Sequence, residues 1–557
     1  MSVKEFGGAH FDWWVRERVV FLAVGSCVGA MMALPVAAAP IDTGNPLLRV
    51  YWDNTAKYSV GVRVENQDGD IAAKTTGPET NTNDGDNNFD PGLISNRVDL
   101  LSEFGLNYDR KYGFRVSAAA WYDDVYHRKN DNPGTAVNHT STPYNEFTKA
   151  TKELHGGDYE LLDSFVYGNF TPGDMRFNVK AGRFTQLYGE SLFFGSNGIA
   201  AAQTSLDLVK ALSVPNSQFK EIMRPTNQVS VQAQVTPEWS VGAYYQLEWR
   251  KNRLPGAGSY FSFADFVDAG GETLSLAPGT NVYRGQDIEA RNTGQGGFQV
   301  KYAPGDVEYG LYAAQYHDKM PQFYARPGVN AKTGYVGDYM QVFGEKIRTV
   351  GGSVSTLVGD TNVAVEASYR TNMPLVATGN AVVAGATADN DKQAMYPTGK
   401  TLHLNVSSIS VFNENEIWDG ASLLAEFAAN RRMSVDKNAN QLDPRATQHA
   451  GAVQFLLTPE YFQVYPGVDL KVPVGLSYGL FGRSSVNGSL FPSTYGGNVT
   501  IGVQADINKT WQAGIGFTHY YGPSGSVVLH GTAVPELSYN NFHGDRDFIS
   551  LSIQRTF

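Results

Sequence analysis

Three stretches of the sequence carry residue types at spacings that could do chemistry. Gly475-Leu476-Ser477-Tyr478-Gly479 fits the G-x-S-x-G pattern of a serine hydrolase. That chemistry needs the serine on a sharp strand-to-helix turn. Here the apolar residues Val472, Val474 and Leu476 alternate with others, so Ser477 is expected inside a strand and not as a nucleophile. Ala394-Met395-Tyr396-Pro397-Thr398-Gly399-Lys400-Thr401 loosely fits a phosphate loop, which needs a helix directly behind it to aim backbone N–H groups at the phosphates. Alternating Leu402, Leu404 and Val406 follow instead, a strand pattern. Asp84-Gly85-Asp86-Asn87-Asn88-Phe89-Asp90 places oxygen side chains at alternate positions, as hard Ca²⁺ prefers, but lacks the acidic twelfth ligand of an EF-hand. Asp84, Asp86 and Asp90 are therefore Ca²⁺ candidates set against a default of a solvated loop. The histidines show no H-E-x-x-H or other paired spacing, and no cofactor or catalytic residue is expected.

The other residues with chemical use are charges on the polar parity of alternating stretches. Arg97, Asp99, Glu103, Arg115, Arg176 and Lys180 fall early; Glu248, Glu308, Glu366, Glu426 and Asp506 fall later. If that parity faces water inside a barrel, these are pore-lining candidates. Basic groups on the early wall opposite acidic groups on the later wall would set up a transverse field that orients and filters polar solutes. The plainer alternative is a set of solvated lumen groups. Residues 186–225 form a long connection with Glu190, Phe193, Phe194, Lys220, Glu221 and Arg224, and a short helix is expected over Leu206–Leu212. Such a segment is too apolar to stand in water. It is expected to fold inward as a constriction loop, with an outer lid as the alternative.

The elements that must position these residues are strands. The chain ends Phe548-Ile-Ser-Leu-Ser-Ile-Gln-Arg-Thr-Phe557, where Ile549, Leu551, Ile553 and Phe557 share one parity, interrupted only by Arg555. A terminal strand leaves an unpaired edge unless it closes on the first strand. From about Leu48 the sequence repeats one unit: strand, long polar loop, strand, tight turn. The turns are Asp109-Arg110-Lys111, Pro172-Gly173-Asp174, Pro304-Gly305-Asp306, Val358-Gly359-Asp360 and Asn508-Lys509. The alternation predicts an all-β fold, a transmembrane antiparallel up-and-down barrel of about eighteen strands (16–20), with both termini on the short-turn side. Only a closed barrel satisfies the backbone of such strands in lipid.

Composition agrees. Aromatics are 12% and glycines number 59, as barrels use rings at both interfaces and glycine where strands bend. The net charge of -11 gives no reason to expect nucleic acid. Lys4, Arg16 and Arg18 precede an apolar run to Leu34, followed by Val36-Ala37-Ala38. This predicts a signal peptide over 1–38 and a barrel over 39–557. The single cysteine, Cys27, lies in the apolar run, so the mature chain is expected to have no thiol chemistry.

Several phrases also carry a resemblance. Asn96-Arg97-Val98-Asp99-Leu100-Leu101-Ser102-Glu103-Phe104, the Gly182-Arg183 to Gly189-Glu190-Ser191 stretch, Lys220-Glu221 and Gly258-Ser259-Tyr260-Phe261-Ser262 together resemble a large family of Gram-negative outer-membrane proteins known as a domain of unknown function. The terminal strand ending in Phe also resembles the signal read by the barrel assembly machinery. The resemblance implies a porin-like channel in the cell outer membrane, in contact with lipid and lipopolysaccharide and passing a small-molecule solute. It also implies, as an alternative, an outer-membrane partner of an exporter or of a periplasmic or lipoprotein component, or a gated channel for hydrophobic compounds. It supplies no catalytic residue, and no enzymatic activity is expected.

Overall fold

The computed structural model describes residues 41–72, 80–134, 137–215, 217, 219–277, 279–328, 336–378, 381–492, 494–529 and 536–557. The signal-peptide expectation for 1–38, Cys27 included, lies outside these residues. Eighteen antiparallel strands form the barrel: β1 (Leu48–Arg63), β2 (Gly92–Tyr108), β3 (Tyr112–Asp123), β4 (Gly157–Phe170), β5 (Arg176–Phe184) and β6 (Thr226–Gln234). They continue with β7 (Trp239–Gln246), β8 (Gln295–Tyr302), β9 (Val307–Tyr316), β10 (Ile347–Val358), β11 (Thr361–Pro374) and β12 (Thr398–Phe412). The ring is completed by β13 (Gly420–Lys437), β14 (His449–Tyr465), β15 (Val468–Lys471 and Val474–Phe481), β16 (Gly497–Ile507), β17 (Trp511–Tyr521) and β18 (Phe548–Thr556). The break in β15 is at Pro473, which has no N–H to give the ladder.

Each strand pairs with its neighbours in sequence, and β18 returns to β1 in register from Thr55↔Thr556 to Arg63↔Phe548. Asn54 and Phe557 exchange both backbone hydrogen bonds, at 2.8 and 2.9 Å, so the last residue lies within the closing ladder. Arg555, the polar residue on the apolar parity, lays its guanidinium over Trp511 at 5.1 Å. The tight turns follow their sequences. Asp109 and Arg110, and again Asn508 and Lys509, have paired positive φ of 50–56°, the twist that suits a two-residue hairpin. The outward parity is apolar and exposed, as at Leu311, Val350, Ile501, Val503 and Leu551. Ser477 sits within β15, and Thr398–Thr401 open β12, so neither sequence match meets the turn its chemistry requires.

One register shift changes which side chains face inward. Opposite β3, the β4 partners jump from Val116↔Ser164 to Ala118↔Leu161. The bulge points both Asp163 and Glu160 into the barrel although their parities differ.

The long-loop end is roofed by structure that the strand pattern does not announce. Thr273–Ala277, Thr280–Arg284, Gly337–Val342, Gln322–Pro327 and Val382–Val383 make a mixed five-stranded sheet from three different loops. Its faces bury separate cores. Tyr339 packs with Leu254, Phe266 and Val282, while its neighbour Met340 packs with Tyr324, Val382 and Tyr396. The loop over 247–294 leaves β7 and reaches β1–β2 and β17–β18, nearly opposite in the ring. There Gly258 accepts from Asn88 (2.9 Å), and the Ser262 carbonyl accepts from Arg546 (2.8 Å).

Candidate functional site

The lumen is shaped by residues 186–225, which start beside β5 and attach first to the far wall. Glu426 on β13 accepts the backbone N–H groups of Leu192, Phe193 and Phe194 at 3.1, 2.5 and 2.9 Å. It also accepts the Ser191 hydroxyl (2.9 Å) and the Asn405 amide (2.7 Å). Glu366 on β11 accepts the N–H groups of Glu190 and Ile199, both at 2.6 Å. Arg370, two positions further along the same inward face from Ser368, donates to the carbonyls of Ser196, Asn197 and Gly198. Loop backbone groups that belong to no ladder are thus satisfied by wall side chains.

Glycine permits this approach. A Cβ at Gly189 (φ +95°) would lie 2.2 Å from Glu366 Oε2, and one at Gly198 would lie 2.8 Å from Oε1. Phe194 then packs on a floor of Ala428, Ala450 and Ala452, tilted against Phe491. Two loop residues, Tyr188 and Ile199, pack with Tyr244 of β7 and Tyr312 of β9 on the wall.

The returning half runs along β1–β3. Ser205–Leu206 pairs with Met223–Arg224, the Asp207 side chain caps the helix Leu208–Ser213, and a second turn of helix covers Phe219–Ile222. The expected helix is present, shifted by two residues at its start. Lys220 pairs with Glu103, which also pairs with Arg115; Arg115 reaches Asp163 at 3.3 Å. Lys57 lies 3.9 Å from Glu221 and donates to the Pro215 carbonyl.

The inward-folding expectation therefore agrees with the geometry, but several pore-lining expectations do not. Glu366 and Glu426 face inward yet are only 2% and 1% exposed, because the loop covers them. Arg97 is bound through three hydrogen bonds to Asp99 on its own strand, under the returning half. Glu248 is not in the lumen. β7 ends at Gln246, and Glu248 pairs with Arg183, whose parity on β5 opposes that of the inward Lys180 and Gly182. Arg115 is neutralised by Glu103 and Asp163, so a basic early wall facing an acidic later wall is absent. What remains toward the short-turn end is mixed: Arg176, Lys180 over Phe165 (5.7 Å), Lys301 between Glu308 (2.6 Å) and Glu190 (3.5 Å), and Asp506 with Lys471 (3.4 Å).

The Ca²⁺ candidates separate. Asp84 accepts from the Asn138 N–H, Asp86 pairs with Arg63 (2.8 Å), and Asp90 accepts from Gln67. Among the described residues no cluster of three acidic, histidine or cysteine side chains is arranged for a metal. Burial raises the Asp86 carboxyl to about 7 against the lowering pull of Arg546, with Asp545 adding to the rise.

The strongest unannounced feature surrounds Glu160. Its carboxylate meets Arg224 (3.6 Å), Arg250 (2.5 Å) and Arg253 (2.7 Å). Arg224 was legible as a loop charge. Arg250 and Arg253 follow an early strand end, and Glu160 sits beyond the bulge, so sequence parity misplaces all three.

Solved structures of similar architecture include the outer-membrane channel DcaP of Acinetobacter baumannii, at 10% identity, covering 94% of this chain and 100% of that one with TM-score 0.37. OccAB2 of the same organism matches at 7% identity over 91% and 98%, TM-score 0.42. OprB of Pseudomonas putida matches at 8% over 92% and 94%, TM-score 0.35. No curated protein sequence matches. Residues 19–557 match the family described as "Protein of unknown function (DUF1302)", and the chain belongs to that family.

Proposed function

We propose that this protein is an outer-membrane channel, passing small polar solutes through a lumen narrowed by residues 186–225. The observation that carries this reading is the attachment of that loop across the interior of a closed barrel, with Glu366, Arg370 and Glu426 as its anchors. An apolar outer face and a polar inner face fit lipid outside and water inside. In this setting the barrel contacts outer-membrane lipid and lipopolysaccharide and is inserted by the assembly machinery. Deleting Ser191–Ser213 is expected to raise single-channel conductance in planar bilayers while the barrel still assembles. Unchanged conductance and size cutoff in a folded deletion would refute the constriction.

A second reading is a gated channel for an exporter partner or for hydrophobic compounds. It is favoured by the cover that residues 247–294 form over the mouth. Wild-type protein that is silent in bilayers, and opens only when this cover is shortened, would select it. The membrane itself is tested by Val503→Arg, expected to cost about 2–4 kcal/mol near the bilayer midplane, against Gln504→Arg, expected to be tolerated.

A further inference from the structure

Each arginine around Glu160 has a second partner. Arg224 and Arg250 are each already fixed by a backbone carbonyl, those of Lys251 (2.7 Å) and Pro225 (2.8 Å). Arg253 is fixed by Asp207 (2.6 Å) and lies 5.7 Å from the Trp121 ring. Lys210 stands over the same ring at 5.6 Å and makes no ion pair among the described residues. Arg97, the third cation on Trp121, is neutralised by Asp99. Arg224, Arg250 and Arg253 are thus three guanidinium groups served by two carboxylates, Glu160 and Asp207.

We propose that Arg224, Arg250 and Arg253 form an anion station in the wall of the passage, binding solutes through a carboxylate or phosphate group. This rests on the channel reading and names the class of solute. Guanidinium forks match the two oxygens of either group, and a surplus of fixed positive charge gains most from an incoming anion. The arginine side chains retain 13%, 12% and 14% exposure, so the cluster is shielded but not sealed. Arg224 Nε is buried with no acceptor, a donor left for a ligand. Burial, with Arg253 and Arg250 beside it, lowers the Arg224 guanidinium to about 10, whereas at Arg253 burial is outweighed by Asp207 and Glu160 and the guanidinium is raised. The segments that carry the cluster come from β4, the approach to β6 and the exit of β7, with the returning half of the loop alongside. A solute passing the loop therefore meets it.

The test uses the full chain, with sodium acetate and inorganic phosphate as probes. Their binding is read twice: as block of chloride current in planar bilayers, and as a rise in thermal unfolding midpoint in detergent. Glu160→Gln removes the competing carboxylate and is expected to tighten binding about tenfold. Arg250→Gln with Arg253→Gln is expected to weaken it by at least about tenfold. Response to phosphate alone assigns phosphate-bearing solutes, and response to acetate alone assigns carboxylates. Equal affinities in wild type and Glu160→Gln overturn the proposal, even if the double variant fails to fold. A protein that conducts but ignores both probes overturns the station and leaves the channel standing. One that binds them without conducting overturns the channel and leaves the station.

Discussion

Residues 190–199 and 208–222 belong to one loop, yet they meet the barrel through different chemistry. The outgoing half gives its backbone to buried wall groups, Glu366, Arg370 and Glu426, and its ring at Phe194 to an alanine floor. The returning half meets β1–β3 largely through charged side chains; the Lys57–Glu221 pair is shielded, but the Lys220 head is 43% exposed. Buried hydrogen bonds to a charged group are strong, and losing one partner strands several donors. Exposed ion pairs contribute little and are screened by salt. One half behaves as part of the wall and the other as a flap resting on it.

Four measurements can break or sharpen that contrast. Glu426→Ala has the largest expected effect. It strands three N–H groups, at about 1–3 kcal/mol each, and should release the outgoing half. Protease cleavage within 190–199 and a larger, noisier conductance are expected; an uncut loop with wild-type current would show that Glu426 is not its anchor. Phe194→Ala should cost about 3–5 kcal/mol if the alanine floor does not collapse, loosening the same half without freeing it. Hydrogen exchange of residues 190–199 reads this directly. Lys220→Ala should cost no more than about 1 kcal/mol, and its effect on channel noise should disappear in molar salt, where the wild type also loses the pair. A salt-independent effect would place Lys220 with the buried anchors.

The smallest effect is on pH. Lys319, buried beyond the end of β9, donates to the Ala201 carbonyl at 2.9 Å. Burial, with Arg370 nearby and despite Asp318, lowers its ammonium to about 8. Between that value and the unfolded value near 10.4 the unfolded chain binds the extra proton, so stability should rise from pH 8 to pH 10 and be flat below 8, where both states hold the proton. Lys319→Met should flatten that slope in unfolding measurements; an unchanged slope would assign it to other groups.

Much of the barrel was legible because each strand has one lipid face and one wet face. Ile501, Val503 and Leu551 could be placed by parity alone, and Asp109-Arg110 and Asn508-Lys509 by their turn chemistry. Inside, parity gives direction but not depth. It put Glu366 and Glu426 on the inner face and could not show that loop backbone would cover them. It failed where local rules changed: at the β4 bulge, which turns Glu160 inward, and at Gln246, where β7 ends and Glu248 swings outward. The roof sheet was invisible for a different reason. Its strands are short, they come from different loops, and two of its pairings are parallel. The phrases behind the family resemblance fall at docking points. Gly189-Glu190-Ser191 lies against Glu366 and Glu426, Lys220 against Glu103, and Tyr260 to Ser262 against Arg546.

The position of Arg546 has a consequence for the order of events during assembly. It lies just before β18, the strand that closes the ring on β1. The mouth cover over 247–294 holds Asn88 through Gly258, but its contact with Arg546 is placed by the strand that docks on β1. That part of the roof is therefore expected to settle together with ring closure. Arg546→Ala should raise protease cleavage at residues 260–262, where Arg546 holds the Tyr260 and Ser262 carbonyls, while the Asn88 contact of Gly258 remains. The Arg546 contact then ties the state of the roof to the closing seam of the cylinder.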